Sequence, residues 1–178
     1  KLKQHNANVK EMAKQNSLDD PVSLVRENKW TIDKFSEMVT QVAVDLNGDG
    51  NVDDKDQFGI GADSYNAFET FIYGCGVTAI GKDSKGVPVP TLNSDRTVSV
   101  IEKVRSFFTL NDVTVIPDQW QGKVDYDFWA VSSKGFKEGR ILFATAFPHS
   151  LKAYSAECVN DYGIIPYPKF DEAQEKYY

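Results

Sequence analysis

The sequence predicts an α/β protein, helix-rich around a small mixed sheet, on three observations. Apolar residues recur at helical spacing, most clearly at Ile32, Phe35, Met38, Val39 and Val42. Short apolar runs bounded by glycine or polar turns, Phe58 to Ala62 and Ile141 to Thr145, read as buried strands. The 178 residues suffice to bury a real core, and no internal repeat or low-complexity segment divides them.

Taken in order, Val9 to Gln15 is expected to form a short helix that ends in the turn Asn16 to Pro21. Pro21 suits the first turn of a second short helix, Val22 to Glu27. Thr31 is placed to cap the clearest helix. An aspartate-rich loop, Asp45 to Gln57, separates it from the Phe58 strand, and a helix is expected from about Ser64 to Tyr73. Lys82 to Gly86 has the composition of a hairpin turn between two short strands. Asn93 or Ser94 caps the next helix, whose predicted apolar face is Val98, Ile101, Val104 and Phe108. A loop from Asn111 to Lys123, a helix near Phe128 to Lys137, the Ile141 strand and a last strand at Tyr162 to Pro166 complete the chain.

Composition narrows the function. With 20 Lys+Arg against 26 Asp+Glu, the net charge is −6, so a nucleic-acid partner is disfavoured for want of cations to displace counterions. Aromatics make up 12% of the chain, too many for a disordered one. The longest clear apolar run, Ile141 to Phe147, falls far short of the roughly 18 residues that span a bilayer. Cys75 and Cys158 match no zinc or redox spacing; one long-range disulfide and two buried free thiols both remain open. Lys1 follows no signal peptide or initiator methionine, as expected of an excised segment.

One loop has the pattern of a metal site. Counted from Asp45 as the first of twelve positions, Asp45, Asn47 and Asp49 fall at one, three and five, and Gly50 at six, where the chain must turn sharply. Asn51 offers its carbonyl at seven, Asp53 lies at nine and Asp56 at twelve. Calcium requires six to eight hard oxygens, and alternate residues of a tight loop supply them. A solvated Asn/Asp/Gly turn has the same composition, but the complete register favours a structural Ca2+. Asp56 stands where a longer glutamate is usual, which implies modest affinity. A strand, not a second helix, follows the loop, so the site is structural rather than a sensor's switch.

Catalytic motifs are missing. The two histidines, His5 and His149, have no partner nearby in sequence, and no zinc-protease, nucleophile-elbow or phosphate-loop signature is present. Asp125 and Asp127 form a carboxylate pair, but at this spacing they are expected to cap the helix that follows. An enzyme is not expected.

Four segments carry a resemblance. Asn28 to Phe35 (NKWTIDKF) is similar to a segment of the bacterial extracellular solute-binding proteins, family 1, the substrate-capturing components of ABC importers. Asp45 to Gly59 resembles the acidic loop of one Gram-positive branch of that family. Phe136 to Phe143 (FKEGRILF) and Asp161 to Tyr177 (DYGIIPYPKFDEAQEKY) resemble two later segments. The resemblance implies a periplasmic-binding-protein type II architecture, with residues 1–178 as a single lobe of a two-lobed protein. It also implies a carbohydrate or oligosaccharide ligand held by hinge closure, ABC permease subunits as partners, and an extracellular lipoprotein anchored by a lipid outside this segment. Where the family carries its ligand loop, this chain reads Ala144 to Ser150 with neither tryptophan nor glycine. Phe147 and His149 are therefore the first expected ligand contacts, with Trp120, Trp129 and Tyr73 as secondary ones. The alternatives are a calcium-stabilised carbohydrate-associated or adhesion module without a transport role, and a hydrolase fragment.

Overall fold

A computed structural model describes residues 17–147, 151–159 and 162–178. The expected helix at Val9 to Gln15, His5 and His149 lie outside these residues. The first described helix, α1, spans Pro21–Arg26; Asp20 caps it by accepting from the Val22 amide at 3.2 Å. Thr31 caps α2, Ile32–Val42, whose buried residues are the five apolar positions that predicted it. Strand β1, Phe58–Gly61, follows the acidic loop and is buried throughout. Helix α3 is Asn66–Gly74, and the antiparallel hairpin of β2, Ile80–Lys82, and β3, Pro88–Pro90, turns through Gly86 at φ 81°.

Ser94 caps α4, Asp95–Phe108, but the expected inner face is corrected. Thr97, Val100, Val104, Phe107 and Phe108 are buried, while Val98 is 55% and Ile101 37% exposed. The adjacent rings of Phe107 and Phe108 bury more apolar surface than the two aliphatic positions, and the helix turns to bring both inward. Strand β4, Thr114–Val115, lies within the expected loop, followed by 3-10 turns at Pro117–Trp120 and Phe128–Ala130. Helix α5, Val131–Lys137, strand β5, Ile141–Ala144, and helix α6, Leu151–Glu157, complete the regular elements. The strand expected at Tyr162 to Pro166 is not formed. Pro166 and Pro168 lack ladder donors, and the segment joins the fold through its side chains and a bridge between Thr31 and Lys169.

The main sheet has the order β4-β1-β5, with both pairings parallel. The Val113 carbonyl accepts from both Gly59 (3.0 Å) and Ile60 (3.2 Å), a bulge that disturbs the alternation of β1. Ile60 consequently joins the core under α2, α3 and α4, whereas Phe58 joins Val115, Trp120, Val131 and Ile141 beneath α5. Both cysteines are free; burial raises the Cys75 thiol to about 12 and leaves it inert.

Gly59 marks the closest approach of helix to strand. A Cβ placed there would collide with the backbone of Val39, which cannot swing aside as a flexible side chain can. Gly59→Ala is expected to destabilise by about 1–3 kcal/mol or more, measured as a lower urea midpoint with an unchanged slope. Wild-type stability would show that α2 does not pack against β1 as described.

Candidate functional site

Because β4, β1 and β5 run parallel, their carboxyl ends emerge on one edge. There the Thr145 hydroxyl accepts from the Asp63 amide at 2.9 Å and donates to the Asp63 carboxylate at 3.0 Å, joining the exits of β1 and β5. Tyr65, 53% exposed, follows the same exit, and its hydroxyl accepts from Gln119 Nε2 at 3.4 Å in the turn after β4. The first turn of α5 lies against this edge: Ser132 donates to the Val115 carbonyl at 3.3 Å, and a Cβ built on Gly61 would meet Ser132 Cβ at 3.1 Å. Trp129, 54% exposed, stands just before that turn, and Phe147, 56% exposed, lies three residues beyond β5. Three exposed aromatic residues thus follow or precede the elements that meet at this edge, where Asp63, Thr145 and Gln119 supply a carboxylate, a hydroxyl and an amide.

A cavity of about 190 Å³ opens beside β5, lined mainly by apolar groups that include Trp30, Phe143, Tyr154, Tyr162 and Tyr167. Trp30 donates its indole N–H to the Pro166 carbonyl at 3.0 Å and so holds the 162–168 segment over it. Thr145 and Ala146 line the cavity as well, which makes it continuous with the carboxyl edge.

The expected contacts separate on this geometry. Trp129 and Phe147 reach the edge. Trp120 does not: it is 5% exposed and packs edge-to-face on Phe58 with centroids 6.0 Å apart, so its polar neighbours in sequence misled. Tyr73 is exposed, but α3 begins at the edge, and seven residues carry Tyr73 about 10 Å down the helix to the other end. Asp63, Tyr65, Gln119 and Thr145 also lie at this edge and are not among the contacts expected from the sequence. A polar pair and an aromatic directly after a buried parallel strand is the signal that could have found them.

The acidic loop is closed at its base by Val44 and Gln57, which exchange two backbone hydrogen bonds of 3.0 Å. Asp45 accepts from the Gly48 and Gly50 amides (2.7 and 2.9 Å), with Gly48 and Gly50 at φ 71° and 78°. Asp49 accepts from the Asn51 amide at 2.7 Å, which holds its carboxyl below the usual carboxylate range. Asp56, 4% exposed, accepts from Leu46 and Asp53. Asn47 Nδ2 donates to Asp49 and Asp53 at 3.1 and 3.3 Å, so a partial positive charge sits between two carboxylates. In this arrangement the carboxylates serve the loop's own amides, and among the described residues no three His, Cys, Asp or Glu side chains form a ready cation cage. The donor set nonetheless fits a hard cation in kind, being all oxygen, and in spacing.

No protein-family model matches the sequence, and a search of curated proteins finds no match. Among solved structures, the chain is similar to the maltose/maltodextrin-binding domain MalE from Bdellovibrio bacteriovorus bound to maltotriose. The superposition gives a TM-score of 0.53 at 19% identity, over 78% of this chain and 33% of that one. The two share an α/β fold over the matched part. This chain spans about a third of the neighbour's length. In an open parallel sheet of this kind the carboxyl edge is the physically favoured place for a ligand, beyond the strand ends.

Proposed function

We propose that the chain is one lobe of the substrate-capturing component of an ABC importer, and that the substrate is a carbohydrate or oligosaccharide. The observation that supports this is the carboxyl edge, where Asp63, Thr145, Tyr65 and Gln119 are joined by hydrogen bonds and exposed Trp129 and Phe147 lie within three residues of elements that meet there. Sugars offer apolar faces to rings and hydroxyls to carboxylates and amides, and this edge presents both kinds of partner. The maltotriose bound by the structural neighbour supports the same ligand class. In this proposal His149 adds a hydrogen bond from the segment after Phe147. A second lobe closes over the ligand by a hinge, and permease subunits receive the loaded protein. The protein works outside the cell, held by a lipid anchor beyond this segment, and performs no catalysis.

The acidic loop, on the same proposal, holds a structural calcium through Asp45, Asn47, Asp49, the Asn51 carbonyl, Asp53 and Asp56. For Asn47 to be a ligand its amide must turn its oxygen inward. Calcium would then take over the charge balance that Nδ2 provides between Asp49 and Asp53.

Trp129→Ala tests the edge. In the intact protein it is expected to weaken oligosaccharide binding by about 1–3 kcal/mol, on the scale of rings stacked on aromatic side chains. The melting temperature should hardly move, because the side chain is exposed. Trp120→Ala is expected to do the reverse, at about 3–5 kcal/mol of stability. Unaltered affinity in Trp129→Ala removes this residue from the site.

A further inference from the structure

We infer that Tyr126 is a positioning residue: its hydrogen bond to Asp54 is a strut that fixes Trp129 on the ligand edge, an inference that rests on the carbohydrate proposal. The Tyr126 hydroxyl donates to Asp54 Oδ2 at 2.9 Å across 72 residues of sequence. Burial, and then the bond to Asp54, raise the Tyr126 hydroxyl above its ordinary range. The contact belongs to a closed ring of interactions. Lys134 Nζ lies 5.2 Å from the Tyr126 ring centroid and pairs with Glu138 at 2.7 Å. Glu138 pairs with Arg140 at 2.5 Å, and Arg140 reaches back to the Asp56 carbonyl at 3.4 Å. The acidic loop is thereby fastened twice, to the segment before α5 and to the turn after it.

Trp129 is the residue this ring controls. Between buried Trp120 and buried Val131 the chain is mostly turn, and Tyr126–Asp54 ties it by a side-chain hydrogen bond to a segment distant in sequence. One residue further on, Asp127 accepts from the Trp129 amide at 3.1 Å, and the Phe128 ring lies tilted against Trp129 with centroids 4.9 Å apart. Fixing Tyr126 therefore fixes the short turn that aims the indole. Asp54 is not one of the six proposed calcium ligands, so the strut can be cut without touching that set.

The test compares Tyr126→Phe, Asp54→Ala and Asp54→Asn in the intact protein by amide hydrogen exchange and acrylamide quenching. Trp30 and Trp120 are 1% and 5% exposed, so Trp129 is the accessible tryptophan of this chain, and the difference from Trp129→Phe isolates its emission from that of the rest of the protein. Tyr126→Phe and Asp54→Ala are expected to speed exchange over residues 123–130 about tenfold and to change quenching, while α4 stays unaffected. Asp54→Asn keeps an acceptor and should behave as wild type. Maltotriose affinity, read by calorimetry, should fall about 3–10-fold with the two cutting variants, because preorganisation is lost. Unchanged exchange and quenching would overturn the strut. A loosened Trp129 with unaltered maltotriose affinity would overturn its tie to the ligand. A wild type that ignores every oligosaccharide tried, with the loosening still seen, would overturn the carbohydrate proposal and not the strut.

Discussion

Phe35→Ala will cost about 3–5 kcal/mol of stability, a large share of the 5–15 kcal/mol that holds a typical domain together. Phe35 is 3% exposed and is the hub of the aromatic core. Its ring centroid lies 5.0 Å from Phe71, 5.1 Å from Phe107, 5.2 Å from Phe143 and 5.8 Å from Trp30. Those four rings come from α3, α4, β5 and the segment before α2, so one truncation opens a void between the sheet and all three helices on that face. Each well-placed aromatic pair adds about 0.5–1.5 kcal/mol beyond area burial, and the surrounding rigid rings leave little room to collapse into the gap. Urea unfolding measures the change. A loss below about 1 kcal/mol would mean that α2 is not the centre of this core.

Calcium is expected to raise the melting temperature. Without a cation the loop gathers Asp45, Asp49, Asp53 and Asp56, whose charges repel, and relies on its own amides and Asn47 to hold them. Binding to the folded state alone contributes about 2.7 kcal/mol when free calcium exceeds the dissociation constant 100-fold. For a chain of this size each kcal/mol moves the midpoint by about 2–4 °C. The comparison is a thermal melt in millimolar calcium against one in chelator, with Asp45→Ala as the variant that should lose the response. Helix content by circular dichroism should stay the same, because β1 and not a helix follows the loop. An unchanged midpoint would refute the site. A large gain in helix would instead point to a sensor.

Local chemistry made much of the fold legible. Thr31, Ser94 and Asp127 are short polar side chains at helix or turn starts, and each accepts from an amide two or three residues on, as capping requires. Tertiary choices were less visible. Strand β4 is only Thr114–Val115, too short for a period-two pattern, and exists because Val113 and Val115 offer carbonyls to β1. On α4, two candidate faces overlap in sequence, and packing of Phe107 and Phe108 against Phe71 decided between them. At the candidate site, Trp120 and Trp129 sit in similar polar surroundings in sequence. One enters a 3-10 turn that tucks under Phe58, and the other precedes a helix that starts at the open edge. Asp63, Tyr65, Gln119 and Thr145 come together only through the parallel pairing of three strands, which no single segment encodes.

The most direct test of the central claim is a titration of the intact protein with maltotriose and longer maltodextrins, following tryptophan emission. With Trp30 and Trp120 buried and Trp129 exposed, a saturable spectral change that disappears in Trp129→Phe is the predicted result. Calorimetric binding of these sugars that leaves Trp129 emission untouched, or no binding across a broad oligosaccharide panel, would contradict the account.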